Sequence, residues 1–388
     1  MDTGKRPFHD GHRVDFLCGG VAYFDRLVEL IGTARLRVQL QMYIFESDPT
    51  GELVLDALEN AAARGVEVNL LVDGFGSYGF RRAIGNRLSE AGIRFRYFAR
   101  LPLETLRQPA RRLHVKVCVV DGERMMVGGI NISDKYRGSD HVPPWLDYAL
   151  YAEGPVCAAL ERDCARRFGK LALSGIPDSD SGSGEVHSGI RVRFSTNDLP
   201  RGRREISASY KRMFRSAQRE LIIVNSYFLP SYRLLRSIRN AAKRGCAVTV
   251  LVGAVSDVPL VRAATRHLYR RLLKSGVRIA EYRTSILHAK VCIVDGRWLN
   301  LGSYNLNHLS EFFSVELNLE VLDSEFATGC RTAIMNVIRD ESVMVNTRSQ
   351  DGISGMYLRV LDAVSYRLLR STRYLFLLFG RKPPQAVF

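Results

Sequence analysis

One nine-residue stretch occurs twice in the chain. Residues 114–122 read HVKVCVVDG and residues 288–296 read HAKVCIVDG, so that seven of the nine positions are identical. The similarity continues downstream, where GGIN at 128–131 matches GSYN at 302–305. Self-similarity of this kind indicates an internal duplication, here of a unit of roughly 170 residues, which lies within the usual size range of a domain.

Each copy is predicted to alternate between strand and helix. A strand-like segment (37–44 in the first copy, 221–224 in the second) precedes a helix-like segment that ends at a glycine, as helices often do. The helix-like segments and the strands that follow them are 53–63 and 66–72, then 234–243 and 247–252. This order predicts parallel pairing with right-handed crossovers. We therefore expect the α/β class, with two tandem α/β/α lobes that each contain a mixed, mainly parallel sheet.

A change in composition marks the expected boundary between the copies. Residues 174–189, SGIPDSDSGSGEVHSG, are rich in Ser, Gly, Pro and Asp, which is typical of a linker or a long surface loop. The predicted organisation is a first lobe over 1–173, a second lobe over 190–345 and a C-terminal tail over 346–388.

The repeated motif carries a set of side chains suited to phosphate chemistry. A histidine and a lysine lie two residues apart on a predicted strand, so that both side chains share one face, and an asparagine follows downstream. The two sets are His114, Lys116 and Asn131, and His288, Lys290 and Asn305. An imidazole, an ammonium and an amide together suit a tetrahedral phosphate oxyanion. A single H-x-K would mean little, but two copies at the same offsets predict that both sets act on one phosphorus between the lobes.

The composition is that of a soluble globular protein with a polyanionic partner. The chain has 56 Lys and Arg against 40 Asp and Glu, a net charge of +16, which favours nucleic acid, an anionic membrane or a phosphate-bearing substrate. No apolar run approaches the roughly 18 residues of a membrane span, and the basic N-terminus lacks the apolar segment of a secretory signal. None of the seven cysteines has the C-x-x-C spacing of a metal site, so we expect free thiols in a reducing cytoplasm.

The paired motifs resemble the signature of the phospholipase D superfamily, H-x-K-x4-D followed by G-[GS]-x-N, and the resemblance extends from about residue 14 to about residue 323. Within that superfamily the chain is similar to bacterial cardiolipin synthases, in segments such as YIF at 43–45, DGFGS at 73–77 and YFLP at 227–230. The resemblance implies two lobes related by a pseudo-twofold axis, with the active site at their interface. Some members carry N-terminal transmembrane segments, and this sequence resembles the shorter, peripheral form.

The resemblance also implies a two-step mechanism. One histidine attacks phosphorus to give a phosphohistidine, while the other protonates the leaving alcohol and then deprotonates the incoming one. We expect His114 to be the nucleophile and His288 the acid and base, although motifs so nearly identical do not by themselves assign the roles. The side chains expected to bind phosphate oxygens are Lys116, Lys290, Asn131, Asn305 and Ser303.

Two pairs of acids belong to this predicted site. Asp121 and Asp295 complete the catalytic motifs, but because they stand at strand ends we expect them to organise the fold rather than to contact substrate. Asp147 and Glu316 match the acid that orients the histidine in the family, although a reading as solvated surface carboxylates is equally open. Ser314 stands where relatives usually carry asparagine, two residues before the second acid.

The C-terminal segment has the pattern of a basic amphipathic helix. Residues 357–382 contain six basic residues and one acid, and apolar residues at 357, 361, 364 and 368 keep helical spacing. Such a helix suits an interfacial anchor on anionic lipid. The alternative is a helix that packs this stripe on the second lobe and exposes a basic face to solvent.

The leading hypothesis is phosphatidyl transfer, in which phosphatidylglycerol is cleaved, glycerol leaves and a second lipid hydroxyl accepts the phosphatidyl group to give cardiolipin. The alternatives are a phospholipid or phosphodiester hydrolase, a nuclease, which the net charge would also suit, and a non-catalytic membrane-binding protein, against which two complete motifs argue. We expect no metal or other cofactor, and no protein partner is inferred. The expected partners are phosphatidylglycerol and the membrane surface rather than nucleic acid, and the expected location is peripheral, on the cytoplasmic face of the bacterial inner membrane.

Overall fold

A computed structural model describes residues 6–81, 84–99, 111–139, 143–169, 189–346 and 353–379, with the backbone alone at 81, 85, 353–357 and 372–379. Most of the predicted linker, 174–188, and the ends of the predicted tail, 347–352 and 380–388, lie outside the described residues.

The described residues form two sheets and the helices that accompany them. The strands of the first lobe are β1 (His9–Cys18), β2 (Arg37–Met42), β3 (Glu67–Asp73), β4 (Arg94–Phe98), β5 (Arg112–Leu113), β6 (Lys116–Val120), β7 (Arg124–Gly128) and β8 (Tyr148–Glu153). Its helices are α1 (Gly19–Gly32), α2 (Pro49–Ala63), α3 (Gly85–Glu90), α4 (Asp134–Arg137) and α5 (Val156–Phe168). The strands of the second lobe are β9 (Ile190–Asp198), β10 (Arg203–Arg204), β11 (Glu220–Asn225), β12 (Ala247–Gly253), β13 (Arg278–Tyr282), β14 (Lys290–Val294), β15 (Trp298–Gly302), β16 (Ser314–Leu322) and β17 (Ser342–Met344). Its helices are α6 (Glu205–Ser216), α7 (Tyr232–Lys243), α8 (Pro259–Leu273), α9 (His308–Phe312), α10 (Ser324–Asp340) and α11 (Ile353–Phe379).

Both sheets are mixed. The first has the order β4-β3-β2-β6-β7-β8-β1 and the second has β17-β13-β12-β11-β14-β15-β16-β9. In each sheet three strands, β2, β3 and β4 or β11, β12 and β13, pair in parallel as the strand–helix–strand pattern predicts.

The prediction of an α/β fold with mixed sheets is confirmed, but the expectation that parallel pairs predominate is wrong. The remaining pairs within the two sheets are antiparallel. The physical reason is the short turn after each motif. Residues 121–123 join β6 to β7, and residues 295–297 join β14 to β15. Strands joined by so short a turn can pair only in the antiparallel sense.

The two lobes share a hydrophobic core. Val115 and Val117, at the start of β6, belong to the same buried cluster as Ala289 and Val291, at the start of β14. Strand β1 also joins the sheets, because it pairs with β8 from Arg13 to Cys18 and with β9 at His9 and His12. Burial of each large aliphatic side chain contributes about 1.5–3 kcal/mol, so this apolar interface fixes one lobe against the other.

The motif aspartates lie at the ends of their strands that are remote from the motif histidines. The carboxylate of Asp121 accepts hydrogen bonds from the backbone N–H groups of residues 35–37, at 2.8–3.0 Å. Asp295 accepts equivalent bonds from residues 218–220. Both aspartates have left-handed backbone, with φ of 56° and 54°, and each begins the turn into the next strand. Seven residues of nearly extended chain separate Asp121 from His114, roughly 20 Å. The two carboxylates thus hold backbone segments together, as expected of acids that organise the fold rather than contact substrate.

Replacing Asp121 tests this assignment. Asp121→Ala should lower the free energy of unfolding by about 2–3 kcal/mol, because three N–H groups lose a charged acceptor and alanine resists the left-handed backbone. Asp121→Asn, which tolerates that backbone and keeps one acceptor oxygen, should lose about 1 kcal/mol. Urea denaturation measures both values. Unchanged stability together with lost activity would instead place Asp121 in the chemistry.

Helix α11 packs on α8 through its polar edge. Asp362 and Ser365 are buried, with the Asp362 carboxylate accepting from the Arg266 guanidinium at 2.7 Å. Leu361, Val364 and Leu368 are 45%, 55% and 51% exposed. The alternative in which the apolar stripe packs on the second lobe is therefore wrong for these three residues. Among the helices that the structure describes, α11 included, none combines the length and apolar character needed to cross a bilayer.

Candidate active site

Both repeated motifs open onto a cavity of about 550 Å³ between the lobes. His114 of the first lobe and His288 of the second line it, together with the two motif asparagines, Asn131 and Asn305. The structure thus brings four of the predicted residues to one space, which is the size of a small-ligand site.

Each motif histidine is anchored by the backbone of the opposite lobe. The N–H of His114 donates to the carbonyl oxygen of Val315 at 2.9 Å, where β5 and β16 pair across the interface. The N–H of His288 donates to the carbonyl oxygen of Leu146 at 2.8 Å. Each histidine lies two residues before the start of its strand, β6 or β14, and therefore at the strand end that meets the other lobe.

The side chains of the histidines are also held across the interface. Nδ1 of His114 lies 2.9 Å from Glu316, and Nδ1 of His288 lies 2.7 Å from Asp147. Both acids are buried, at 0% and 1% exposed, so the reading of them as solvated surface carboxylates is wrong. A carboxylate only accepts hydrogen bonds, and this assigns the ring proton to Nδ1 and a lone pair to Nε2 in each histidine. A ring nitrogen with a lone pair can attack phosphorus or take a proton.

Burial favours the neutral form of both histidines. Burial lowers the pKa of His114, and the Glu316 carboxylate opposes this shift only in part. Burial and the charge of Lys290 lower the pKa of His288. Burial raises the pKa of Asp147, but the charge of Lys290 and the hydrogen bond with His288 outweigh it and hold that pKa below its ordinary value. Asp147 is thus an ionised acceptor beside a neutral imidazole.

The two motif lysines lie beneath the histidines. Lys116 Nζ donates to the carbonyl oxygen of His114 at 2.8 Å, and Lys290 Nζ lies 2.8 Å from Nδ1 of His288. Both are buried, and burial lowers the pKa of Lys116 to about 7 and that of Lys290 to about 8. An anion in the cavity would favour their charged forms, because opposite charges in a buried site attract strongly.

Binding of an anion should therefore take up protons. At pH 8 Lys116 is mainly neutral, and a bound sulfate raises its pKa, so the site gains on the order of one proton per sulfate. Calorimetric titration with sulfate in two buffers of different ionisation enthalpy measures this number. Lys116→Arg, which stays charged at pH 8, should take up less. Binding without proton uptake in the unaltered chain would show that the lysines are already charged.

The motif asparagines and Ser303 have different surroundings. Asn131 accepts from the N–H of Ile44 at 3.2 Å, and Asn305 accepts from the Ser226 hydroxyl at 2.9 Å, which fixes both amides at the cavity wall. Ser303 is fully buried, and its hydroxyl donates to the carboxylate of Glu316. The prediction that Ser303 binds phosphate is corrected, because its hydroxyl is engaged by the acid that holds His114 and does not line the cavity.

The residue that matches Ser303 in the first lobe is Gly129, and the difference has a steric cause. A Cβ on Gly129 would lie 2.4 Å from the carboxylate of Asp147. The shorter acid therefore needs glycine beside it, whereas the longer Glu316 reaches past the Cβ of Ser303 and accepts from its hydroxyl.

Ser303→Ala distinguishes positioning from phosphate binding. We expect kcat to fall about tenfold, the effect of one lost charged hydrogen bond of about 1.4 kcal/mol, while sulfate affinity changes less than twofold. A large loss of sulfate affinity with kcat retained would return Ser303 to the phosphate site.

Tyr136 is a site residue that the sequence reasoning missed. Its hydroxyl accepts from the Asn131 amide at 2.6 Å and lies 3.4 Å from Nε2 of His288. The second copy has Ser310 at the same offset from its asparagine, and this departure from the repeat is the signal that could have found Tyr136. Within the described part of the chain, Nε2 of His114 has no equivalent hydroxyl, so Tyr136 makes the two halves of the site unequal.

No metal centre is formed by the described residues: among them, no three or more His, Cys, Asp or Glu side chains cluster so as to hold an ion.

The chain is similar in sequence and fold to known proteins over most of its length. A family model described as "Cardiolipin synthase, PLD-like domain" matches residues 27–141 and 210–337. Cardiolipin synthase B of Salmonella typhimurium is 34% identical over 354 residues, which are 88% of this chain and 84% of that protein. Cardiolipin synthase B of Escherichia coli K12 is 32% identical over 353 residues, with the same shares covered. The crystal structure of phosphatidylserine synthase from Haemophilus influenzae covers 96% of this chain and 97% of its own, with a TM-score of 0.72 at 16% identity, and so shares the fold.

The chain therefore belongs to the phospholipase D-like cardiolipin synthase family. It is an enzyme of the phospholipase D superfamily, and the resemblance found in its motifs is confirmed. The duplication is confirmed as well, since the family model matches one segment in each lobe.

Proposed function

We propose that the protein is a cardiolipin synthase-type phosphatidyltransferase, which moves a phosphatidyl group from phosphatidylglycerol to the hydroxyl of a second lipid. The observation that carries the proposal is the pair of histidines in one cavity, each with a buried carboxylate on Nδ1 and a lone pair on Nε2. The names of the curated relatives, cardiolipin synthases of similar length, support transfer over hydrolysis.

In the proposed first step, Nε2 of His114 attacks phosphorus and the bond from phosphorus to the glycerol oxygen breaks. His288, protonated once the phosphate anion offsets the nearby lysine charge, gives its Nε2 proton to the departing oxygen. In the second step His288 removes the proton from the incoming lipid hydroxyl, whose oxygen displaces His114 from phosphorus. Lys116 and Lys290 offset the charge on the non-bridging oxygens, and the Asn131 and Asn305 amides orient them.

The proposed roles of the histidines rest on the asymmetry at Tyr136. A hydroxyl beside Nε2 of His288 can relay or hold the proton that this histidine exchanges with the alcohols, and it would hinder direct attack on phosphorus from the same nitrogen. The imidazole of His114 packs against the ring of Tyr43, with the two centroids 4.8 Å apart. His114 is therefore the better-placed nucleophile.

A lipid-product assay tests the proposal. Phosphatidylglycerol vesicles should yield cardiolipin and glycerol in equal amounts, because each transfer releases one glycerol. Phosphatidic acid without cardiolipin would mean that water is the acceptor and that the protein is a hydrolase. If neither forms and DNA is cut, the nuclease hypothesis replaces both.

Replacement of the histidines tests their roles. His114→Ala and His288→Ala should each lower turnover about 10³-fold or more. A phosphatidyl ester of p-nitrophenol needs no proton on its leaving group, so it should restore a burst of nitrophenol in His288→Ala but not in His114→Ala. The reverse pattern would exchange the two roles.

The proposed setting is the cytoplasmic face of the inner membrane, where the enzyme acts peripherally on anionic lipid. The net charge of +16 supports attraction to such a surface.

A further inference from the structure

Helix α11 presents an apolar face that the described protein does not cover. Leu358, Leu361, Val364 and Leu368 recur at intervals of three and four, and each is 45–55% exposed. At about 1.5 Å per residue, the 27 residues of this helix extend about 40 Å. Contiguous exposed apolar surface of this kind is uncommon on soluble proteins and marks a contact surface.

The orientation of α11 is fixed by its opposite edge. The guanidinium of Arg266 donates to both oxygens of Asp362, and the rings of His267 and Tyr366 stack with centroids 4.6 Å apart. Asp362 is only 5% exposed, so rolling the helix to hide its apolar face would break a largely buried ion pair. The outward position of the apolar face is therefore a property of the fold.

The same helix reaches the catalytic cavity. Leu369 lines it, alongside Val258 and Leu309 from the loop before α8 and from α9. Val258 and Leu309 are also partly exposed, as is Leu260 in the first turn of α8. An apolar surface thus runs from α11 to the cavity, and we call these residues together with the apolar face of α11 the mouth surface.

The charge beside the mouth surface indicates its partner. Within the sequence of α11, four arginines accompany a single acid, Asp362, and that acid is already paired with Arg266. Arg367 is exposed next to Leu368. A basic helix with one apolar face and a fixed orientation matches an anionic bilayer surface, where the apolar side chains enter the acyl boundary and the arginines meet lipid phosphates.

We propose that the mouth surface docks on an anionic phospholipid bilayer and that lipid substrate passes from the bilayer to the histidines past Leu369, with its acyl chains still in the membrane. This proposal rests on the proposed function for its substrate, but the docking itself is a separate property of the surface.

A triple substitution tests the docking. Leu361→Gln, Val364→Gln and Leu368→Gln together should weaken cosedimentation with vesicles of equal phosphatidylglycerol and phosphatidylcholine at least tenfold, and lower turnover on those vesicles by a similar factor. Turnover of dihexanoyl phosphatidylglycerol below its micellar concentration should change less than twofold, because monomeric lipid needs no docking. The matched control replaces two exposed aliphatic residues of the first lobe, Val21→Gln with Leu36→Gln, and should behave as the unaltered chain.

The outcomes separate the two proposals. Unchanged binding and turnover on vesicles would overturn the docking. So would a dimer of the unaltered chain that the triple variant converts to monomer, since the face would then be covered by a second copy. Loss of turnover on monomeric and vesicle lipid alike, with an unchanged thermal unfolding curve, would also overturn it, by placing these residues in the catalytic machinery. If the unaltered chain turned over neither lipid, the proposed function would fail while vesicle binding would still decide the docking.

Discussion

Two hydrogen bonds that cross the lobe interface, His114 with Glu316 and His288 with Asp147, hold the two motif imidazoles in place. Each partner acid is buried, and a buried carboxylate left without its partner costs several kcal/mol. The bonds therefore require the lobes to meet in one relative position. The shared core provides it, because Val117 of β6 and Val291 of β14, each one residue after a motif lysine, belong to one buried cluster. The apolar packing between the lobes and the geometry of the candidate site thus depend on each other.

Much of this arrangement could be predicted from the repeat. The His–Lys spacing predicts the motif strand, and the glycine after each first helix predicts where that helix ends. The duplication itself predicts that each lobe is one folding unit. What the repeat does not contain is the pairing between its copies. The contact of β5 with β16 joins residues about 200 apart, and no local pattern specifies it. For this reason the sequence identifies Asp147 and Glu316 as candidate histidine-orienting acids but does not show which histidine each of them contacts.

Two features of the protein depend on contacts between distant residues, and the sequence alone does not decide them. The motif G-[GS]-x-N treats Gly and Ser as equivalents and so groups Ser303 with the phosphate-binding residues, whereas the structure shows the acid to which its hydroxyl donates. The apolar stripe of α11 is compatible with packing on the second lobe and with contact with lipid. Periodicity shows that the helix has an apolar face but not what that face contacts. The buried pair of Arg266 and Asp362 decided that question, and it depends on a contact between helices that are far apart in sequence.

The unequal residues at positions 129 and 303 constrain how such a duplicated chain can diverge. Glycine goes with the shorter acid and serine with the longer one, since a side chain at 129 would strike Asp147 whereas the hydroxyl at 303 supports Glu316. Gly129→Ser alone would drive a side chain into Asp147, whereas Ser303→Gly alone would only remove a hydrogen-bond donor from Glu316. The two positions therefore do not tolerate the same side chains, although they occupy equivalent places in the repeat.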